Sequence, residues 1–190
     1  MNGIEEDEAA HKRSIEDEAK SWLATPGDVE LQSLSHWEDT DSPIEATLKI
    51  RMANFASAAG SRLLVPTRVF DTGYRRAFDH KDRKYPIYYD YPFLDMEEVR
   101  IHMPHGMKVE SVPERRLEKS DFAAYLLDRK ASTDDTIVLK RQLIVGGILF
   151  PVEMYPKMKT FFDGLKTHDD EQIILKSTEA SALTGGADVH

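Results

Sequence analysis

The stretch Val99-Arg-Ile-His-Met-Pro-His-Gly-Met-Lys-Val-Glu-Ser-Val-Pro113 decides how the rest of this chain is read. It opens as an alternating apolar and polar run, breaks at Pro104-His-Gly106, resumes as a second short run and stops at Pro113. A period of two puts successive side chains on opposite faces of a strand, and Pro and Gly punctuate strands with turns. The stretch marks an antiparallel β domain.

The same pattern extends outward in both directions. Residues 44–52 alternate strictly, with Ile44, Ala46, Leu48, Ile50 and Met52 on one side and Glu45, Thr47, Lys49 and Arg51 on the other. Such alternation predicts one buried and one wet face. Further strands are expected at 29–34, 62–66, 87–91, 97–103, 108–112, 121–128, 136–145 and 173–175, with the connection 128–135 closing a hairpin. In 136–145 the residues Ile137, Leu139, Leu143 and Val145 share a face that Arg141 interrupts.

Two helices flank these strands. Over 5–24, Ile15, Ala19, Trp22 and Leu23 make a narrow apolar stripe, ended by Thr25-Pro26-Gly27. Over 151–166, Pro151 supplies a helix start and Tyr155, Met158, Phe161, Phe162 and Leu165 a buried stripe. The predicted fold is α+β: mainly an antiparallel β-sandwich, with an N-terminal helix and a C-terminal amphipathic helix. Its predicted parts are a helix at 1–27, a sandwich domain at 28–176 and a disordered tail at 177–190.

Composition narrows the function classes. The chain has 190 residues and a net charge of −9, which argues against nucleic acid or an anionic membrane as partner. With no cysteine there is no disulfide, thiolate metal site or cysteine nucleophile. The charged N-terminus lacks the apolar core of a signal peptide, and no apolar run approaches the length of a bilayer span. Gly146-Gly147 lacks the flanking glycines and lysine of a phosphate loop, so no cofactor is expected.

Four constellations bear on chemistry. His102 and His105 have a His-x-x-His spacing near Asp95, Glu97 and Glu98, but a strand followed by a turn makes them diverge, so no metal is expected. Ser35, His36 and Asp39 have the residue types of a hydrolytic triad without the Gly-x-Ser-x-Gly elbow, and no catalytic residue is assigned. Tyr85, Tyr88, Tyr89, Tyr91 and Phe93 form an aromatic cluster whose commoner role is core filling; alternation separates Tyr88 from Tyr89 and Tyr91. Arg75, Arg76, Lys81, Arg83 and Lys84 form a basic patch that Asp79, Asp82 and the acidic residues 5–18 can neutralise. The candidate interaction residues are Trp22, Tyr85, Tyr88, Tyr89, Arg75, Arg76 and Arg83.

The order of these pieces resembles the C-terminal, β-rich part of bacterial transglutaminase-like proteins that carry an N-terminal domain of unknown function. The resemblance spans residues 10–176. It rests on Trp22-Leu23, Leu63-Leu-Val-Pro66 before Phe70, Arg83-Lys-Tyr-Pro86, Met103-Pro-His-Gly106 leading to Val112-Pro113, and the helix and strand that hold Tyr155, Phe162, Ile173 and Leu175. It implies a non-catalytic accessory domain of a transglutaminase-like peptidase or amidase, partnered by an upstream core or another polypeptide. The family's catalytic Cys, His and Asp would lie in that core, and none carries over. It also implies a periplasmic or envelope setting for the parent protein. The alternative is a free-standing carbohydrate- or peptide-binding sandwich. The accessory reading expects the 85–93 rings mostly buried, and the ligand reading expects several exposed on one face. A third reading, a hydrolase, expects a pocket where His and carboxylates converge.

Overall fold

The computed structural model describes residues 2–37, 39, 41–71, 78–132 and 135–178, the side chains of 2–8 excepted. The chain divides into two compact units, residues 1–55 with 68–73 and residues 56–67 with 74–190.

The first unit holds helix α1 (Asn2–Trp22) and the antiparallel strands β1 (Asp28–Ser35) and β2 (Glu45–Arg51). Asp28 pairs with Arg51 and Ser35 with Glu45, with a shift in register between Leu31 and Ser33. Helix and hairpin are tied by the Leu31 amide, which donates to Glu16 Oε1 at 2.9 Å. Of the predicted stripe, Ala19 is buried and Ile15 and Leu23 half-buried, but the Trp22 ring is 47% exposed. The helix ends at Trp22, and Leu23 already bridges to Phe70 outside helical geometry. Gly27 is required by close approach: a Cβ there would come within 2.8 Å of the Arg51 carbonyl oxygen. In β2 only Leu48 and Ile50 of the predicted apolar face are half-buried, and Ile44 is exposed, because a two-stranded sheet covers little beyond its middle.

The second unit carries two four-stranded antiparallel sheets. The first runs β6 (Phe93–His102), β10 (Thr136–Val145), β9 (Ala123–Ala131), β8 (Arg116–Lys119); the second runs β3 (Ser57–Ala59), β4 (Arg62–Pro66), β12 (Gln172–Ser177), β7 (Met107–Ser111). A two-residue pairing joins β5 (Ile87–Tyr88) to β11 (Leu149–Phe150). Mostly antiparallel sheets with two helices make the predicted α+β class. The stretch 99–113 does form two strands around a turn, but β6 and β7 lie in different sheets. The turn is therefore a corner rather than a hairpin. Gly106 has φ +76°, which a side chain would strain.

Helix α2 (Tyr155–Asp169) covers one end of the first sheet. Pro151 does not start it: a short 3₁₀ turn over Val152–Met154 intervenes, and Pro156 occupies the first helical turn. Tyr155, Met158, Phe162 and Leu165 meet Tyr125, Leu127, Leu143 and Val145 of the sheet, with Phe78, Ile87, Phe122, Ala123 and Phe150 around them. Phe78 stacks on Phe162 with ring centroids 4.5 Å apart. Strand β10 buries Ile137, Leu139, Leu143 and Val145 as alternation predicts. Strands β3, β8 and β11, absent from the sequence reading, are short and carry no clear alternation. Of the predicted tail, Ser177 ends β12 and residues 179–190 lie outside the described residues.

Candidate functional site

Two places in the second unit combine unusual residues. The first is buried. Arg141, on the apolar face of β10, is 4% exposed and donates from Nε to Asp169 Oδ1 at 3.2 Å and from Nη1 to Glu97 Oε1 at 2.8 Å. Asp169, the last residue of α2, also accepts from the Tyr125 hydroxyl. A carboxylate at a helix C-terminus meets the negative end of the helix dipole, so the guanidinium is needed there. Burial pushes the Glu97 carboxyl up; Arg141 opposes this, while Asp169 and Asp95 add to it. Burial likewise raises Asp95, again against Arg141.

Beside it Arg129, its side chain fully buried, reaches Glu171 Oε2 at 2.9 Å and donates to the carbonyls of Glu114 and His168. Arg116 bonds the other oxygen of Glu171 at 2.8 Å. Thr67, just past β4, donates to the carbonyls of Asp169 and Glu171. These charges join the first sheet to the turn between α2 and β12. Arg129, Arg141 and Asp169 are buried and the ion pairs join opposite charges, so the evident work of these clusters is structural. His168, the histidine nearest by, faces Glu118 and Glu171 rather than Asp95 or Glu97.

The second place is exposed. On the outer face of the first sheet, Leu94 pairs across strands with Ile144 and Met96 with Gln142. Ile144 in turn pairs with Ala124, Gln142 with Leu126, and Leu126 with Leu117. Leu94, Met96, Leu117 and Ile144 are all exposed, Met96 at 66%. The outer face of a sheet buried on one side is normally polar, and a contiguous apolar patch marks an interaction surface. Further along the same face the residues turn charged and pair with one another: Glu98 with Arg100 and Lys140, and Asp128 with Lys130. Exposed Ile148 and Leu149 follow β10, and Tyr88 and Tyr91 precede β6, so they flank the apolar end.

The predicted site residues divide. Tyr88 and Tyr91 are 64% and 68% exposed, and Tyr85 is more so, while Tyr89 and Phe93 pack inward with Tyr89 edge-on to Phe150. Alternation had grouped Tyr91 with Tyr89. It fails because only Ile87 and Tyr88 are strand and Tyr91 sits in the bend before β6. Burial raises the Tyr89 hydroxyl pKa, with Arg83 opposing. Arg83 is exposed and donates to the Tyr85 carbonyl at 3.1 Å. Arg75 and Arg76 lie outside the described residues. Asp79, expected to neutralise the basic patch, pairs with Lys166 at 3.2 Å.

His102 Nδ1 lies 3.2 Å from the Thr136 hydroxyl, and no group of three or more His, Cys, Asp or Glu among the described residues is placed to hold a metal. No described helix is long and apolar enough to cross a membrane. The outer-face patch was missed in the sequence, although Leu143-Ile-Val145 is continuously apolar where a half-wet strand should alternate.

A family profile described as a domain of unknown function with a solved structure, DUF3858, matches residues 61–175. The chain belongs to the DUF3858 family. The match runs from just before β4 into β12 and so includes both buried charge clusters and the outer-face patch. No curated protein matches the chain. Among solved structures it is similar to a protein from Parabacteroides distasonis described as a "putative protease", with 11% identity and a TM-score of 0.45. The similarity covers 51% of this chain and 19% of that one. A likeness of this extent carries no activity across.

Proposed function

We propose that this DUF3858 chain is a non-catalytic interaction domain that docks on a polypeptide partner, a transglutaminase-like catalytic core, through the apolar outer face of its first sheet. The observation that carries this reading is the set Leu94, Met96, Leu117 and Ile144, exposed together on one face. Aliphatic side chains in a flat array suit another protein's apolar surface, since sugars are held by aromatic stacking with convergent polar groups. The order of sequence motifs supports the choice of a transglutaminase-like partner, and the lack of cysteine agrees with a supporting rather than catalytic part.

The test is light scattering after gel filtration. The chain is mixed with the transglutaminase-like domain encoded nearest to it. A one-to-one complex is expected, lost in Met96→Asp with the free chain's melting temperature unchanged. No complex with the wild-type chain would overturn the reading.

A second reading, carbohydrate or peptide binding, is kept on one observation: Tyr85, Tyr88 and Tyr91 are exposed where the accessory reading expects buried rings. It expects glycan or peptide binding that Tyr88→Ala abolishes, whereas binding at the outer face or the edge of the first sheet survives that change.

A further inference from the structure

We propose that the free edge of β6 accepts an extended polypeptide segment as an added strand, with basic side chains of that segment lying opposite Asp95 and Glu97. Strand β6 has ten residues and pairs with β10 on one side; among the described residues no strand pairs with its other side. An edge strand turns every second N–H and C=O away from its sheet, a ready template for another strand. Ten residues offer roughly 33 Å of such edge.

Burial along the sheet shows the same opening. The inward residues of β10 and β9 are buried up to the exposed last residue of β9, Ala131, but Phe93, Asp95, Glu97, Val99 and Ile101, inward on β6, are all half-buried. The inner face is thus incompletely covered at this edge.

Charge then selects the occupant. Asp95, Glu97 and Asp169 gather around one guanidinium, that of Arg141 on β10. Asp169 comes from α2, Arg141 from β10, and the other two from β6 itself. A strand added to β6 would place its inward side chains about 5 Å from Asp95 and Glu97. A Lys or Arg there would meet the half-buried carboxylates of Asp95 and Glu97 along this edge, while an acidic residue would be repelled by them. Opposite Val99 and Ile101 the segment would be apolar. Inward charges on an edge strand also serve elsewhere to repel added strands. The experiment separates these two roles.

The full chain is titrated, with anisotropy as the readout, against two fluorescent decapeptides whose inward-facing residues are two adjacent Lys flanked by Val in one and two adjacent Glu flanked by Val in the other, with Thr at every outward position, so that the charged pair can lie opposite Asp95 and Glu97 and Val opposite Val99 and Ile101. The expected result is binding of the Lys peptide at least about tenfold tighter, equivalent to about 1.4 kcal/mol. Asp95→Asn, a mild change at a half-buried side chain, should weaken the Lys peptide several-fold. N-methylating alternate residues of that peptide should abolish binding in one register and spare it in the other, the mark of backbone pairing. Equal binding of both peptides, or equal effects of both N-methyl registers, overturns the proposal. So does self-association of Asp95→Asn without peptide binding, which would make the carboxylates guards. The edge is a different surface from the sheet's outer face, so failure here leaves the docking reading standing.

Discussion

At the scale of single residues, Arg141 carries the most consequence. The sequence shows it only as a break in an apolar face. Its partners Glu97 and Asp169 are 44 and 28 residues away in the chain, and no local pattern links them. Asp169→Asn should destabilise the fold by about 3 kcal/mol in urea denaturation, because it takes a buried carboxylate partner from the buried guanidinium. Glu97→Gln should cost much less at neutral pH, since burial already disfavours the ionised carboxyl. The pH dependence follows the same logic. Glu97 holds its proton to higher pH in the folded than in the unfolded chain. Between those two values the folded state binds more protons, so this contribution to stability falls as the pH rises through the window just above the ordinary carboxylate range. Urea denaturation across that window should show a shallower fall for Glu97→Gln than for the wild type.

At the scale of elements, legibility tracked length and periodicity. Strand β10 and helix α2 were evident because each carries a clear apolar period over many residues. The three- or four-residue strands β3 and β8 and the two-residue β11 were not: β3 and β8 are too short to show a period although each pairs with the next strand, and β11 pairs only with distant β5. The corner at Gly106 shows the same limit: the turn residues are local, but the sheet each strand joins is decided by β10 and β12, later in the chain. Helix α2 holds the first sheet's buried face through its aromatic stripe. Phe162→Ala should therefore cost about 3–5 kcal/mol, measured by chemical denaturation, since the ring is fully buried against Phe78 and Phe161. An unchanged midpoint would show that α2 does not cover this core.

At the scale of the whole molecule, the DUF3858 match covers residues 61–175 and so includes the apolar outer face. That region has one sheet face closed by a helix and the opposite face apolar at one end. Little of the candidate site was visible in the sequence: the flanking Tyr88 was named, but Leu94, Met96, Leu117 and Ile144 were not. Each of those four looks ordinary in its own strand, and only register brings them together. The most direct test is hydroxyl-radical footprinting of the chain with and without the transglutaminase-like domain. The account predicts that oxidation of Met96 and Tyr91 falls several-fold in the complex while Tyr85 stays reactive. Undiminished oxidation of Met96 in a formed complex would contradict it.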